Sequence, residues 1–326
     1  MEIRNLTTRF FTRKGVVRAV EGVDLAVRRG TITGLVGESG CGKSVTALSV
    51  MGLVPSPPGH ITAGRIILEG ENLLDKNPEQ MAGVRGKDIS MIFQEPMTSL
   101  NPVLPIGRQV AEPLRLHTRL GRRQIRRKVV EMLELVGIPE PEKRLWTFPH
   151  QLSGGLRQRV MIAMAMICEP KLLIADEPTT ALDVTIQAQI LDLMKDLMKR
   201  LETSIILITH DLGVVAEVCD DVYVMYAGKV VEQGSVFDIF DNSAHPYTLG
   251  LLRSIPRIDA NWGKRKLHAI EGTVPNLSEM PAGCPFAPRC EKARSFCREK
   301  EPPMVRIDGR HFARCHVAGE GGSPDG

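Results

Sequence analysis

The sequence predicts an α/β protein: a mostly parallel sheet covered on both faces, a helical subdomain set into it, and a small cysteine-rich module behind it. Three observations carry that prediction. Near-continuous apolar strands alternate with segments of helical spacing. A glycine-rich turn, "GESGCGKS" at residues 37–44, joins an apolar strand to a helix. Beyond Phe240 the composition shifts to Pro, Gly and Cys.

The elements follow in order. "RAVEGVDLAV" (residues 18–27) reads as a strand, and "GTITGLVG" (30–37) as a buried strand running into the glycine turn. "KSVTALSVMGLV" has helical apolar spacing. From about residue 95 to 155 the pattern changes, with helices expected over 106–117 and 122–136 and prolines between them, which marks the inserted subdomain. Alternation then returns: a helix to Ile167, the strand "LLIA", a helix over 184–202, the strand "SIILI", a helix near Val214 and the strand "VYVMY". Residues 1–240 are thus one large domain and residues 241–326 a separate module, whose end, "GEGGSPDG", is expected to be disordered.

Composition bounds the function. Of the 326 residues 43% are hydrophobic and 25% charged, as in soluble globular proteins; aromatics at 4% leave core packing to aliphatic side chains. A net charge of +4 is too slight to imply nucleic-acid binding unless it clusters. The start, "MEIRNLTTRF", lacks the basic and apolar regions of a secretory signal, so a cytoplasmic location is expected. The longest apolar run, "VMIAMAMIC", is far too short to span a bilayer. In the cytoplasm, clustered thiols more often bind metal or do redox chemistry than form disulfides.

The turn at residues 37–44 fits G-x-x-x-x-G-K-[ST], a chance match on the order of one in a hundred for a chain this long. Its glycines let the backbone wrap close to phosphates, and successive N–H groups with the following helix N-terminus supply positive potential. Gly37, Ser39, Gly40, Cys41, Gly42, Lys43 and Ser44 are therefore candidate nucleotide contacts, Lys43 on the β and γ oxygens and Ser44 on Mg²⁺. Such a loop needs acidic partners, and "LLIADEP" ends a buried strand with Asp176, suited to Mg²⁺, and Glu177, suited to orienting water. Alone, that acidic pair would read as solvated surface. In "HQLSGGLRQR", Ser153 and Gly155 stand before a helix, as a plain N-cap or as an anion contact. Gln94, Asp183 and His210 each close or follow a strand nearby.

Five motifs in chain order, the phosphate loop at residues 37–44, Gln94, "LSGG" from Leu152, "LLIADE" ending at Glu177 and His210, together resemble the nucleotide-binding subunit of an ATP-binding-cassette transporter, over roughly residues 1–240. The resemblance implies a P-loop NTPase fold with N-terminal antiparallel strands and a helical subdomain. It further implies ATP and Mg²⁺ as ligands and head-to-tail pairing with a second, related ATPase, so that Ser153 and Gly155 of one subunit face the phosphates on the other's Lys43. Glu177 becomes the general base, His210 the γ-phosphate contact and Asp183 a link between the two sites. Gln94 would meet Mg²⁺ and water while sensing the membrane partner. Phe11, with Phe10 as second choice, would stack on adenine; a phenylalanine there is otherwise core.

The tail is more specific. "HPYTLGLLRSIP", "EGTVPNL" and "PAGCPFAPRC" resemble the C-terminal extension of the dipeptide and oligopeptide importers, a group that includes nickel importers. The implied assembly has two transmembrane permeases, a second ATPase and an extracytoplasmic solute-binding protein, with this chain peripheral on the cytoplasmic face of the membrane. Nickel or another small solute is the alternative cargo. A soluble cassette ATPase acting on DNA or ribosomes is the alternative class, although such proteins usually carry a coiled-coil insertion or two cassettes in one chain.

Cys284, Cys290, Cys297 and Cys315 are separated by five, six and seventeen residues, a spacing that leaves structural zinc and an iron–sulfur cluster both open. The importer resemblance implies a four-cysteine [4Fe–4S] cluster. Cys41 is expected to have a lowered thiol pKa from the loop N–H groups, and so to be alkylatable. The cationic run from Arg115 to Lys128 reads first as a solvated helix face and second as a contact for anionic lipid.

Overall fold

The computed structural model describes residues 1–94, 99–180, 182–255 and 269–318. Its first strands, β1 (Glu2–Thr12) and β2 (Gly15–Ala26), form a hairpin in the register Thr12↔Gly15. β3 (Ile32–Val36) is buried at every residue, Thr33 included, as a strand covered on both faces requires. It leads through the glycine turn into α1 (Lys43–Met51). β4 (Gly59–Leu68) and β5 (Glu71–Asn72) complete an antiparallel sheet of order β2-β1-β4-β5. A buried hydrogen bond of 2.9 Å between Thr8 Oγ1 and Ser49 Oγ ties α1 to β1.

The middle of the chain holds α2 (Pro78–Val84), β6 (Ile89–Ile92), α3 (Ile106–Val110), α4 (Glu112–His117), α5 (Arg122–Leu135), α6 (Pro141–Arg144), α7 (Gly154–Met166), β7 (Leu172–Asp176), α8 (Val184–Leu201) and β8 (Ser204–Thr209). The helix expected over 106–117 is two helices that meet at Ala111. Pro113 lacks the N–H that would continue the ladder to Gln109, so the helix restarts there. On α5 the apolar residues Ile125, Val129, Met132 and Leu133 face inward at helical spacing. β6 and β7 run parallel, from Ile89↔Leu172 to Ile92↔Ala175. Residues 27–31 and 75–207, with Met1, form one compact unit, whose core includes β6, β7 and the buried Val160, Ile162 and Ile190.

The second compact unit combines residues 2–26 and 32–74 with the chain after residue 207. That last stretch contains α9 (Leu212–Val218), β9 (Asp221–Tyr226), β10 (Lys229–Ser235), α10 (Val236–Asp241), α11 (Pro246–Arg253), α12 (Ser295–Glu299), β11 (Val305–Asp308) and β12 (His311–Ala313). β9 is parallel to β3, but the strands beyond it, in the order β10, β12 and β11, are all antiparallel. The sheet is therefore mixed. Ala227 and Gly228, both with left-handed backbone (φ 46° and 82°), make a two-residue turn from β9 to β10, and so short a link can only reverse the chain. β11 and β12 lie where the sequence suggested no regular structure, because four and three residues are too few to register as alternation. The expected disordered end, residues 319–326, falls outside the described residues.

Candidate functional site

The phosphate loop is built in the second unit. Gly37 has φ 151°, and a Cβ there would stand 2.2 Å from the Met225 carbonyl oxygen; Gly42 has φ 107°, and a Cβ there would stand 2.3 Å from the Ala19 carbonyl oxygen. Only glycine fits either position. Gly42 is the N-cap of α1, so the loop delivers its backbone directly to a helix N-terminus. Lys43, 6% exposed, donates from Nζ to the carbonyl oxygens of Gly37 (2.8 Å) and Glu38 (3.0 Å), which hold the ammonium across the loop. Ser39 and Gly40 are exposed and Ser44 half-buried. Cys41 corrects the expectation for its thiol. It is fully buried, and desolvation pushes its pKa up despite Lys43 beside it. His210, also in this unit, is exposed just past the end of β8. Phe11 is 51% exposed on the first hairpin, with its ring 5.8 Å from that of His60.

The first unit brings together another set. Asp176, 4% exposed, ends β7. Glu177 follows with φ 48°, a left-handed conformation that costs a non-glycine residue about 1–3 kcal/mol. Its Oε2 accepts from Gln94 Nε2 at 3.1 Å and from Thr180 Oγ1 at 3.0 Å. Gln158, buried on α7, donates to the Pro178 carbonyl oxygen and so ties α7 to the turn that carries Glu177.

Ser153 is exposed and caps α7, accepting from the Leu156 N–H at 3.4 Å. Arg157 donates from Nε to the carbonyl oxygens of Pro149 (2.9 Å) and Leu152 (3.1 Å), which fixes the turn before it. At Gly155 a Cβ would stand 3.0 Å from Ile186, at the start of α8. Asp183 caps α8 through the Ile186 N–H at 3.0 Å. In the cationic run, Arg127 pairs with Glu131 and Lys128 with Glu169, each at 3.5 Å, while Arg115, Arg119, Arg122, Arg123 and Arg126 are exposed.

Cys284, Cys290, Cys297 and Cys315 line one pocket together with His245, Phe286, Pro302, His316 and others. Burial raises the thiol pKa of Cys284 and Cys290, and pushes that of Cys315 up to about 11. His245 Nδ1 accepts from the Tyr247 N–H, which leaves the proton on Nε2, a buried atom with no hydrogen-bond partner. Among the described residues no three His, Cys, Asp or Glu side chains close around a point as a single ion requires. No described helix is long and apolar enough to cross a membrane.

Sequence reasoning passed over Glu38, Tyr226, Tyr247 and Arg289, which the structure gathers at the phosphate loop. Arg289 Nη1 and Nη2 donate to Glu38 Oε2 (2.7 Å) and Oε1 (3.0 Å), and the Glu38 N–H donates to the Tyr247 hydroxyl oxygen (2.9 Å). No local signal links residues 251 positions apart. Only the "HPY" string, in which His245 caps α11 and turns Tyr247 inward, hinted at a built feature.

Comparison with known proteins bears on both parts. The family model described as ABC transporter matches residues 20–180, and that described as oligopeptide/dipeptide transporter, C-terminal region, matches residues 231–297. The chain is 52% identical over 314 residues to the oligopeptide transport ATP-binding protein OppD of Bacillus subtilis, covering 96% of this chain and 87% of that one. It is 51% identical over 315 residues to the dipeptide transport ATP-binding protein DppD of the same organism, covering 97% and 93%. Among solved structures, the dimeric bacterial ABC transporter cassette MJ0796 superposes with a TM-score of 0.64 at 26% identity, covering 72% of this chain and 98% of that one. Another structure of the same cassette, in a post-hydrolysis state, holds ADP and Pi and gives the same figures.

Proposed function

The chain belongs to the family of ATP-binding proteins of oligopeptide and dipeptide ABC transporters, and from that membership we propose that it hydrolyses ATP to energise peptide uptake through partner permeases. The observation that carries the reading is the phosphate loop, with Lys43 buried at its centre and its close approaches open only to glycine. Residues 1–240 act as the ATPase domain and residues 241–326 as the extension proper to peptide importers.

Gly37, Ser39, Gly40, Cys41, Gly42, Lys43 and Ser44 bind the phosphates, and Phe11 supports the adenine. Asp176, whose carboxylate is buried, Gln94 and Ser44 carry oxygen donors of the kind a hard cation takes, and would hold Mg²⁺, which would neutralise phosphate charge. Glu177 orients the attacking water and takes its proton; the donors Gln94 and Thr180 fix its carboxylate for that task. His210 contacts the γ-phosphate. Ser153 and Gly155 present an exposed helix start to the nucleotide of a second, related ATPase packed head to tail, and Asp183 links the two sites.

Two permeases anchor the pair at the cytoplasmic face of the membrane, and an extracytoplasmic solute-binding protein delivers cargo. The exposed arginines of α5 are read as a solvated or lipid-facing surface, and nucleic acid is not a partner.

Four thiols around one pocket, with a buried N–H donor in its wall, fit a polynuclear group better than one ion. Cys284, Cys290, Cys297 and Cys315 would hold a [4Fe–4S] cluster, with zinc as the alternative; bound, it crosslinks a module that buries little apolar surface. Iron, sulfide and zinc analysis of anaerobically purified protein tests this: about four irons and four sulfides per chain support the cluster, and one zinc replaces it.

Reconstitution in vesicles with its permeases tests the transport reading. ATP hydrolysis that rises when peptide-loaded binding protein is added supports it; turnover indifferent to permeases and cargo opposes it.

A further inference from the structure

Glu38 is the second residue of the phosphate loop, and its peptide is held on every polar atom. Its N–H donates to the Tyr247 hydroxyl (2.9 Å), its carbonyl accepts from Lys43 Nζ (3.0 Å), and both carboxylate oxygens accept from Arg289 (2.7 and 3.0 Å). Two of the three partners come from the C-terminal extension. Arg289, with a side chain 4% exposed, spends its remaining donors on the carbonyl oxygens of Ile270 (3.2 Å) and Glu271 (2.9 Å) and on the Tyr226 hydroxyl (3.3 Å). Every hydrogen-bonding direction of the guanidinium is therefore used, which fixes the fork that grips Glu38.

The grip is anchored in the cysteine module. Arg289 immediately precedes Cys290, a wall of the four-thiol pocket. Phe286, another wall, packs its ring 5.3 Å from that of Tyr226 and 5.4 Å from that of Tyr247, and those two rings are 4.6 Å apart. Tyr226 and Tyr247 are both fully buried. A rigid aromatic cluster thus connects the pocket wall to the Glu38 peptide.

The electrostatics give this contact a task. A carboxylate one residue beyond Gly37 lies in the loop that must receive a triphosphate, and in a partly desolvated site its charge opposes that of the ligand. Arg289 cancels it. The same contact, with Tyr247, holds the Glu38 carbonyl where it accepts from the Lys43 ammonium.

We propose that Arg289 and Tyr247 are positioning residues of the phosphate loop, through which the C-terminal cysteine module sets the affinity of this chain for ATP. The proposal rests on the reading of that loop as the ATP site. It assigns the extension a part in the nucleotide cycle beyond its own stability.

The test is equilibrium binding of a fluorescent ATP analogue with Mg²⁺ to the full chain and four variants, alongside their melting temperatures. Arg289→Met weakens binding about tenfold, the loss of one charge-assisted contact. Glu38→Gln alone has a smaller effect. The double variant Arg289→Met with Glu38→Gln recovers most of the loss, because the unpaired charge is gone. Tyr247→Phe, which removes only the acceptor for the Glu38 N–H, weakens binding by a smaller factor. Should Arg289→Met fail to fold, Arg289→Lys keeps the charge without the fork and shows an intermediate loss.

Variants that melt lower but bind ATP as the wild type does overturn the proposal. So does a loss in Arg289→Met that Glu38→Gln leaves unrelieved, since a purely structural arginine would behave that way. A wild-type chain that binds no ATP removes the phosphate-loop reading and the tether with it.

Discussion

Gln94 donates its side-chain amide to Oε2 of Glu177 across 3.1 Å, and Thr180 donates to the same oxygen at 3.0 Å. The carboxylate is thereby fixed at the end of a buried strand, in a backbone conformation (φ 48°) that is held at some cost. Gln94 comes 83 residues earlier, at the far end of β6, so the parallel pairing of β6 with β7 is what brings the two side chains level. Truncation of Gln94 to Ala should lower kcat about tenfold, the size of one charge-assisted hydrogen bond, with a smaller change in KM for ATP. Steady-state hydrolysis in the assembled complex measures it, and an unchanged kcat would show that Glu177 does not need this donor.

Ser153 is exposed at the start of α7, and its capping bond is long at 3.4 Å, so replacing it should cost the fold about 1 kcal/mol or less. Ser153→Arg is expected to leave binding at its own phosphate loop intact while abolishing hydrolysis at the site completed by its partner. Single-turnover hydrolysis with each subunit mutated in turn separates the two sites. Full turnover at both would contradict head-to-tail packing.

Cys41 sits inside the phosphate loop, yet its thiol is buried and desolvated. N-ethylmaleimide at neutral pH should therefore modify the native chain at Cys41 far more slowly than the unfolded chain, by a factor on the order of a hundred or more, since both thiolate formation and access are suppressed. Mass spectrometry of peptides after a timed reaction reads this directly. Rapid native labelling would mean that the loop opens and the thiol ionises, as the sequence alone had suggested.

The sequence made the loop and its partners legible because each motif is local: a glycine pattern, an acidic pair after a strand, a capping serine. It located β3, β7 and α8 to within a residue or two for the same reason, whereas the helix expected over residues 43–54 ends at Met51 because Gly52 turns left-handed there. It misjudged what depends on single backbone angles or on distant pairing. Ala227 and Gly228 decide by their left-handed turn that β10 returns antiparallel, and Pro113 alone splits the expected helix. The electrostatics of Cys41 turned on burial, which a motif does not report. Arg289 and Tyr247 were invisible because their partner, Glu38, lies more than two hundred residues away.

Proton abstraction by Glu177, as proposed for this site, is what ATP hydrolysis by the chain turns on. The most direct measurement is the rate of phosphate release by the assembled complex carrying Glu177→Gln, set beside equilibrium binding of ATP to the same variant. Glutamine keeps the shape and the contact to Thr180 but cannot take a proton, so release should fall about a hundredfold or more while ATP binding is retained. Phosphate release within a few-fold of wild type would contradict the assignment of Glu177 and with it the mechanism proposed for the site.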